Sequence, residues 1–353
     1  MVRKRKKQSR LKIFIPVIVV VFISAGFFRA LDIYKKVFKS NLVLEKGESA
    51  DVFIPSGSDF NAVKSLLFES LTFKDSSSLV WVAKRKNYPV HIHGGRYVFK
   101  GSMSNNDIVN MLRAGRQVPV KVQFHNIKTL EDFASAISTQ IEPDSSSLIN
   151  LINDDEYISE FGFNQQTIYS MFIPNTYEVY WNTKADDFIK RMYSEYNNFW
   201  NNKREAKLQD IGMTKIEVST LASIVDEETY INDEKKTIAG VYINRLNKGI
   251  RLQADPTVKF AVGDRAIKRV LTKHLEINSP YNTYKHAGLP PGPINIPSIS
   301  GIDAVLNYEK HSYYYFCARA DFSGYHHFSK TLTQHLRYAR EYQRLLNKNR
   351  VWK

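Results

Sequence analysis

Val218-Ser219-Thr220-Leu221-Ala222-Ser223-Ile224-Val225-Asp226-Glu227-Glu228-Thr229-Tyr230 sets three acids side by side at the end of an apolar helical stretch. Leu221, Ile224 and Val225 precede Glu228 by seven, four and three residues. At about 100° per residue they fall within about 60° of it. Helical phasing therefore places Glu228 on the apolar face and leaves Asp226 and Glu227 pointing elsewhere, free to be solvated. Burial disfavours a charged carboxylate, and a raised pKa is what a general acid near neutral pH requires. A structural role, pairing with a core arginine or capping a neighbouring helix, fits the pattern at least as well.

Downstream, the helix after Asp233 carries Ile238, Val241 and Tyr242 as packing residues, then Asn244-Arg245-Leu246, and stops at Gly249. Arg251 to Thr257 reads as a polar loop. Ser279-Pro280-Tyr281-Asn282-Thr283-Tyr284 and Gly288-Leu289-Pro290-Pro291-Gly292-Pro293 form a stiff, helix-free ribbon. Rings that cover sugar faces and amides that meet hydroxyls gather here. Asn244, Gln253, Asp255, Thr257, Tyr281, Asn282 and Tyr284 are the candidate lining of a sugar cleft.

Upstream, Leu42 to Val120 reads as a small α+β module of strand–helix–helix–strand order. Ser49 to Ile54 is one strand, and Pro55-Ser56-Gly57-Ser58 turns into a helix carrying Val63, Leu66 and Leu67. Asp75 caps a second helix, and Arg96 to Phe99 is the returning strand. Ser104 to Asp107 is a capping-box-like start, with Gly115 as the stop. A larger region follows from residue 120, with a helix begun by Thr129. The basic final stretch, Arg337 to Arg350, reads as an exposed amphipathic tail. Cys317 is the only cysteine, so no internal disulfide holds the fold.

The net charge of +15 over 353 residues is unevenly placed: residues 1–12 carry seven basic side chains and no acid. Ile13 to Phe28 is apolar except for Pro16, Ser24 and Gly26, and Leu31 extends it. Residues 13–31 are therefore expected to anchor the chain as one spanning helix behind a cytoplasmic stub. Everything after about residue 32 then lies outside the cytoplasm. The bulky Phe27-Phe28 after Ser24-Ala25-Gly26 favours this over a cleaved signal peptide. With the basic excess concentrated on that stub, nucleic-acid binding is not expected. His326 and His327 lack metal-ligand spacing.

Ala222 to Thr229, Ala239 to Leu246, Leu252 to Thr257, and Tyr281 to Tyr284 with Gly288 to Ile294 resemble, in order, the motifs of the endolytic murein transglycosylase (MltG, YceG-like) family. The resemblance runs from about Phe172 to the C-terminus and more loosely over the first module. Departures are Asp226-Glu227 for an acid–lysine pair, Ala254 for threonine, and Asn175 for aspartate. The C-terminal stretch Tyr315 to Phe328 is only similar to the family's glycine-rich segment before a histidine. The resemblance implies an α+β protein with a transmembrane helix, a LysM-like βααβ module over 42–118 and a YceG-like catalytic domain over 120–353. It puts the family's catalytic glutamate on Glu228.

It further implies a cell-membrane enzyme, its catalytic domain periplasmic or otherwise extracytoplasmic. Such an enzyme cleaves the MurNAc–GlcNAc bond of nascent peptidoglycan strands to leave 1,6-anhydro ends, without a metal or nucleotide cofactor. Peptidoglycan is the expected partner, with wall-synthesis or division proteins beside it. Two rivals stand against this: a hydrolytic muramidase using Asp255 as second carboxylate, and a non-catalytic wall-binding or septal scaffold.

Overall fold

The computed structural model describes residues 4–45, 47–264, 267 and 269–348, with side chains from residue 15 to 347 within them. The expected basic side chains of residues 1–12 lie outside the described ones. One helix, α1, runs Lys4–Phe38, seven residues beyond the end expected for the anchor. Its stretch Ile15–Phe38 holds an 18-residue window of mean hydropathy 2.0, none of it buried, while Val37 near its end packs against the core of the unit that follows. The 24 residues of that stretch rise about 36 Å, enough to cross a hydrocarbon layer of about 30 Å.

The chain divides into two compact units, residues 1–120 with 178–182, and residues 121–177 with 183–353. In the first, β1 (Ser49–Ile54) leads to α2 (Phe60–Ser70) and α3 (Ser76–Arg85), then β2 (Gly95–Lys100) and α4 (Asn105–Arg113). The strands pair antiparallel, Ser49 opposite Lys100 and Ile54 opposite Gly95. Alternate residues of each strand face the helices, so Val52, Ile54, Tyr97 and Phe99 form a core with Val63, Leu67, Leu79, Val82, Ile108 and Leu112. Asp75 accepts from the Ser78 amide at the start of α3. Ser104 and Asp107 close a capping box on α4. These local starts and stops fall where the sequence puts them.

β3 (Val120–Gln123) leads into the second unit, whose first half holds α5 (Leu130–Ser138), α6 (Ser145–Ile152), α7 (Asp155–Ser159), the first two residues of β4 (Thr176–Val179), α8 (Ala185–Phe199) and α9 (Asn202–Ile211). Then come α10 (Lys215–Glu228), α11 (Asn232–Asn247), α12 (Asp255–Val262), α13 (Ile299–Leu306), the strands β5 (Tyr315–Ala318) and β6 (His326–Ser329), and α14 (Leu332–Lys348). α10 lies at the centre, packed against α11, α12 and α13. The Pro- and Gly-rich ribbon between α12 and α13 runs against backbone. A Cβ on Gly292 would stand 1.9 Å from the Gln166 carbonyl oxygen, so only glycine fits there.

Candidate active site

Thr214 and Glu217 close a capping box at the start of α10. Every residue from Val218 to Val225 is buried, so the helix is enclosed on all sides rather than amphipathic. It ends at Glu228 because Thr229 is extended, at φ −150° and ψ 139°. The Thr229 hydroxyl accepts from the Ile231 amide at 3.0 Å and fixes the turn into α11.

The three acids meet three different environments, which corrects the expectation that two of them are solvated. Lys235 Nζ donates to Asp226 Oδ1 at 2.7 Å, and their side chains are only 8% and 12% exposed. Ser298 adds its amide at 2.7 Å and its hydroxyl at 2.8 Å. Asp226 thus joins α10 to α11 and to the start of α13. Gly301 leaves room for it, since a Cβ there would stand 2.6 Å from its carboxylate. Glu227 accepts from Asn295 Nδ2 at 2.7 Å and pairs with Lys128. Both were misassigned because their partners come from elsewhere in the chain.

Glu228 is held by a neutral donor, the Tyr242 hydroxyl, 2.6 Å from Oε1. Burial pushes its carboxyl up to about 7; the Tyr242 hydrogen bond opposes this, and the nearby Asp255 charge adds to it. The half-buried carboxylate opens on a cavity of about 400 Å³ shared with Tyr242, Arg245, Gln253, Asp255 and Tyr284. Tyr284 donates to Asp255 Oδ1 at 2.6 Å. Gln253 has φ 51°, a strained value for a side chain of its kind. Arg245 holds it there by donating to Oε1 at 2.6 Å, while its other nitrogens reach the Arg251 and Tyr314 carbonyls.

Of the expected cleft residues, Gln253, Asp255 and Tyr284 line this cavity with Glu228, and four do not. Asn244 donates to the carbonyls of His311 at 2.8 Å and Tyr313 at 3.0 Å. Thr257 is fully buried, 2.7 Å from the Ala254 carbonyl and 2.8 Å from the Thr283 hydroxyl. Tyr281 packs its ring 4.6 Å from that of Phe260. Asn282, also fully buried, donates to the Leu275 and Ile277 carbonyls, both at 2.9 Å, and accepts from the Tyr284 amide. Asn282→Ala would leave those part-buried carbonyls without their donor and open a gap at a fully buried position, so it is expected to cost about 2–4 kcal/mol in chemical unfolding. Gln253→Ala takes one acceptor from Arg245, on the cavity side where water can replace it, and is expected to cost about 1 kcal/mol or less.

The remaining lining was not foreseen: Tyr242 and Arg245 from α11, Leu252 from the loop before α12, Tyr315 and Phe316 from β5, Leu332 and His335 from α14. The final helix begins five residues before the stretch expected as a tail, and that added first turn faces the cavity, with His335 stacked on Tyr315 at 5.5 Å. From Arg337 to Asn347 the described residues are exposed or half-buried, and Arg350 lies outside them. Tyr242 follows Glu228 by fourteen residues on a separate helix, where single-helix phasing cannot see it. In β6 the adjacent histidines diverge: His326 Nδ1 meets Glu234 at 2.8 Å and His327 stacks on Tyr338 at 4.2 Å. Cys317 is a half-buried free thiol whose pKa burial pushes up.

The sequence model of the YceG-like family matches residues 52–341. An endolytic murein transglycosylase of Bacillus subtilis (strain 168) is 31% identical over 304 residues, 81% of this chain and 83% of that protein. One from Streptococcus pneumoniae (strain D39) is 26% identical over 298 residues, 76% of this chain and 54% of that protein. The crystal structure of a yceG-like protein from Listeria monocytogenes, 29% identical, matches with a TM-score of 0.54 over 82% of this chain and 99% of that one.

Proposed function

The chain belongs to the YceG-like family, and on that premise we propose that it is an endolytic murein transglycosylase with Glu228 as its catalytic acid and base. The observation that carries the proposal is a carboxyl with its pKa raised to about 7, facing a cavity of sugar-compatible side chains. The relatives from Bacillus subtilis and Streptococcus pneumoniae carry the name endolytic murein transglycosylase, which supports the same reading.

Protonated Glu228 donates to the glycosidic oxygen between N-acetylmuramic acid and N-acetylglucosamine as the C1–O bond breaks. The carboxylate left behind takes the proton of the muramic acid 6-hydroxyl, whose oxygen closes on C1. The products are a 1,6-anhydro end and a free 4-hydroxyl, Glu228 regains its proton, and no water is consumed. An internal nucleophile also gains effective concentration over bulk water. With Tyr242 donating to Oε1, the transferable proton belongs on Oε2. Gln253, Asp255 and Tyr284 are assigned to the sugar. Residues 42–118 take the part of a LysM-like glycan-orienting module, and 120–353 that of the catalytic domain.

Digestion of purified sacculi, with the new ends identified by mass spectrometry, tests the reaction. Anhydro ends, lighter by one water than reducing ends, are expected. Reducing ends would instead favour the muramidase reading, for which Asp255 in the same cavity is the second carboxylate. No cleavage at all would favour the scaffold.

Tyr242→Phe tests the proton's placement. The hydrogen bond it removes favours the carboxylate, so Glu228 should titrate higher. The alkaline limb of kcat/KM is expected to move up by about one pH unit. An unmoved limb would detach Tyr242 from the acid.

The apolar stretch of α1 and the basic residues that precede that stretch support a single-pass anchor with the C-terminus outside the cytoplasm. A reporter active only outside the cytoplasm, fused after Lys353, is expected to be active. Activity of a cytoplasm-only reporter there would reverse the topology.

A further inference from the structure

Tyr230 stands two residues after Glu228 with 84% of its surface exposed, and Phe322, between β5 and β6, is 57% exposed. The fold brings their neighbourhoods together. A Cβ on Gly324 would meet Ile231 Cδ1 at 3.4 Å. The His326 amide and ring both bond Glu234 at 2.8 Å, fastening the hairpin to the first turn of α11. Phe322 has φ 56°, a conformation that costs an ordinary side chain about 1–3 kcal/mol and is uncommon for a bulky one. Asp321 holds the turn by accepting from the Ser323 amide at 2.9 Å and hydroxyl at 2.6 Å. A strained backbone that displays an aromatic ring to solvent, on a turn whose neighbours meet those of a second exposed ring, is an arrangement that core packing does not explain.

Both segments lead directly out of the cavity. α10 ends in Glu228 and continues through Thr229 to Tyr230; β5 contributes Tyr315 and Phe316 to the cavity wall and runs on to the turn holding Phe322. A polysaccharide longer than the cavity must leave it somewhere, and rings are the side chains that cover the apolar face of a pyranose.

We propose that Tyr230 and Phe322 form an outlying binding site for a further amino-sugar unit of the strand whose cleavage point lies at Glu228. The proposal rests on the glycan reading of the cavity. It makes the two rings determinants of strand-length preference, with no part in the chemistry.

The test uses the full chain in detergent micelles, carrying Glu228→Gln to prevent turnover, and isothermal titration with peptide-free glycan tetrasaccharide and with long uncross-linked strands. Tyr230→Ala and Phe322→Ala are each expected to weaken long-strand binding about five- to tenfold and to leave tetrasaccharide binding unchanged. Phe322→Asn, which tolerates the left-handed backbone, should show the same loss, separating the ring from the strain. Unchanged long-strand affinity, equal losses at both lengths, or a loss that tracks a fallen unfolding temperature would overturn the site. Absence of binding at either length by the Glu228→Gln parent would instead remove the glycan reading on which it stands.

Discussion

Glu228→Gln is expected to lower the formation of anhydro ends by about two to four orders of magnitude and, above neutral pH, to raise the stability of the fold. Glutamine keeps the size of the side chain and can still accept from Tyr242, but it has no proton for the leaving oxygen. The stability effect follows from the same burial. Native Glu228 titrates near 7 against 4.5 for the ordinary group. Between these values the folded chain holds a proton that the unfolded chain has released, so folding is progressively penalised as pH rises through the window. Below about 4.5 there is no penalty, and above about 7 it is complete, about 3 kcal/mol as an upper figure. The amide does not titrate, so the stability gap between variant and parent should open between pH 4.5 and 7 and then stay constant. Urea unfolding at pH 4.5 and pH 8, beside product analysis, reads both effects. A variant that cuts normally removes Glu228 from the chemistry; one less stable than its parent at pH 8 removes the burial argument.

How much of this was legible in the sequence depended on how far apart the interacting residues lie. The caps of Asp75 and Ser104 and the strand of Ser49 to Ile54 were readable because their signals lie within a few residues. Glu228 was also singled out, though by an incomplete argument. Phasing supposes one buried face, whereas α10 is buried on every face, and Asp226 and Glu227 are as engaged as their neighbour. What separates Glu228 is a cavity whose walls come from α11, β5, the start of α12 and α14, none of which a single-helix pattern contains. The cleft residues show a second limit. Asn282 and Thr257 have the donors and acceptors a sugar would use, and backbone carbonyls use them instead. Composition counts hydrogen-bonding groups but cannot say which are already satisfied.

Asp226→Asn is the other substitution with a large expected effect, and the effect is on folding. Oδ1 accepts from Lys235 and from the Ser298 hydroxyl, and Oδ2 accepts from the Ser298 amide. Both oxygens face donors, so the new amide nitrogen must confront a donor whichever way it turns. It cannot swing away, because Gly301 already stands against the carboxylate. Lys235 is then left as an uncompensated cation in a site where it is 8% exposed. Removing one partner of such a pair costs about 3–5 kcal/mol, a large share of the margin of an ordinary domain. Glu227→Gln should cost far less, since Lys128 is 44% exposed and water can take over its charge. Lys235→Met added to Asp226→Asn removes the stranded charge, and the double variant is expected to recover part of the loss. Urea midpoints of the parent, the two single variants and the double variant decide the matter. A loss under about 1 kcal/mol for Asp226→Asn, or no recovery on adding Lys235→Met, would mean that the pair does not hold α10 to α11 as described.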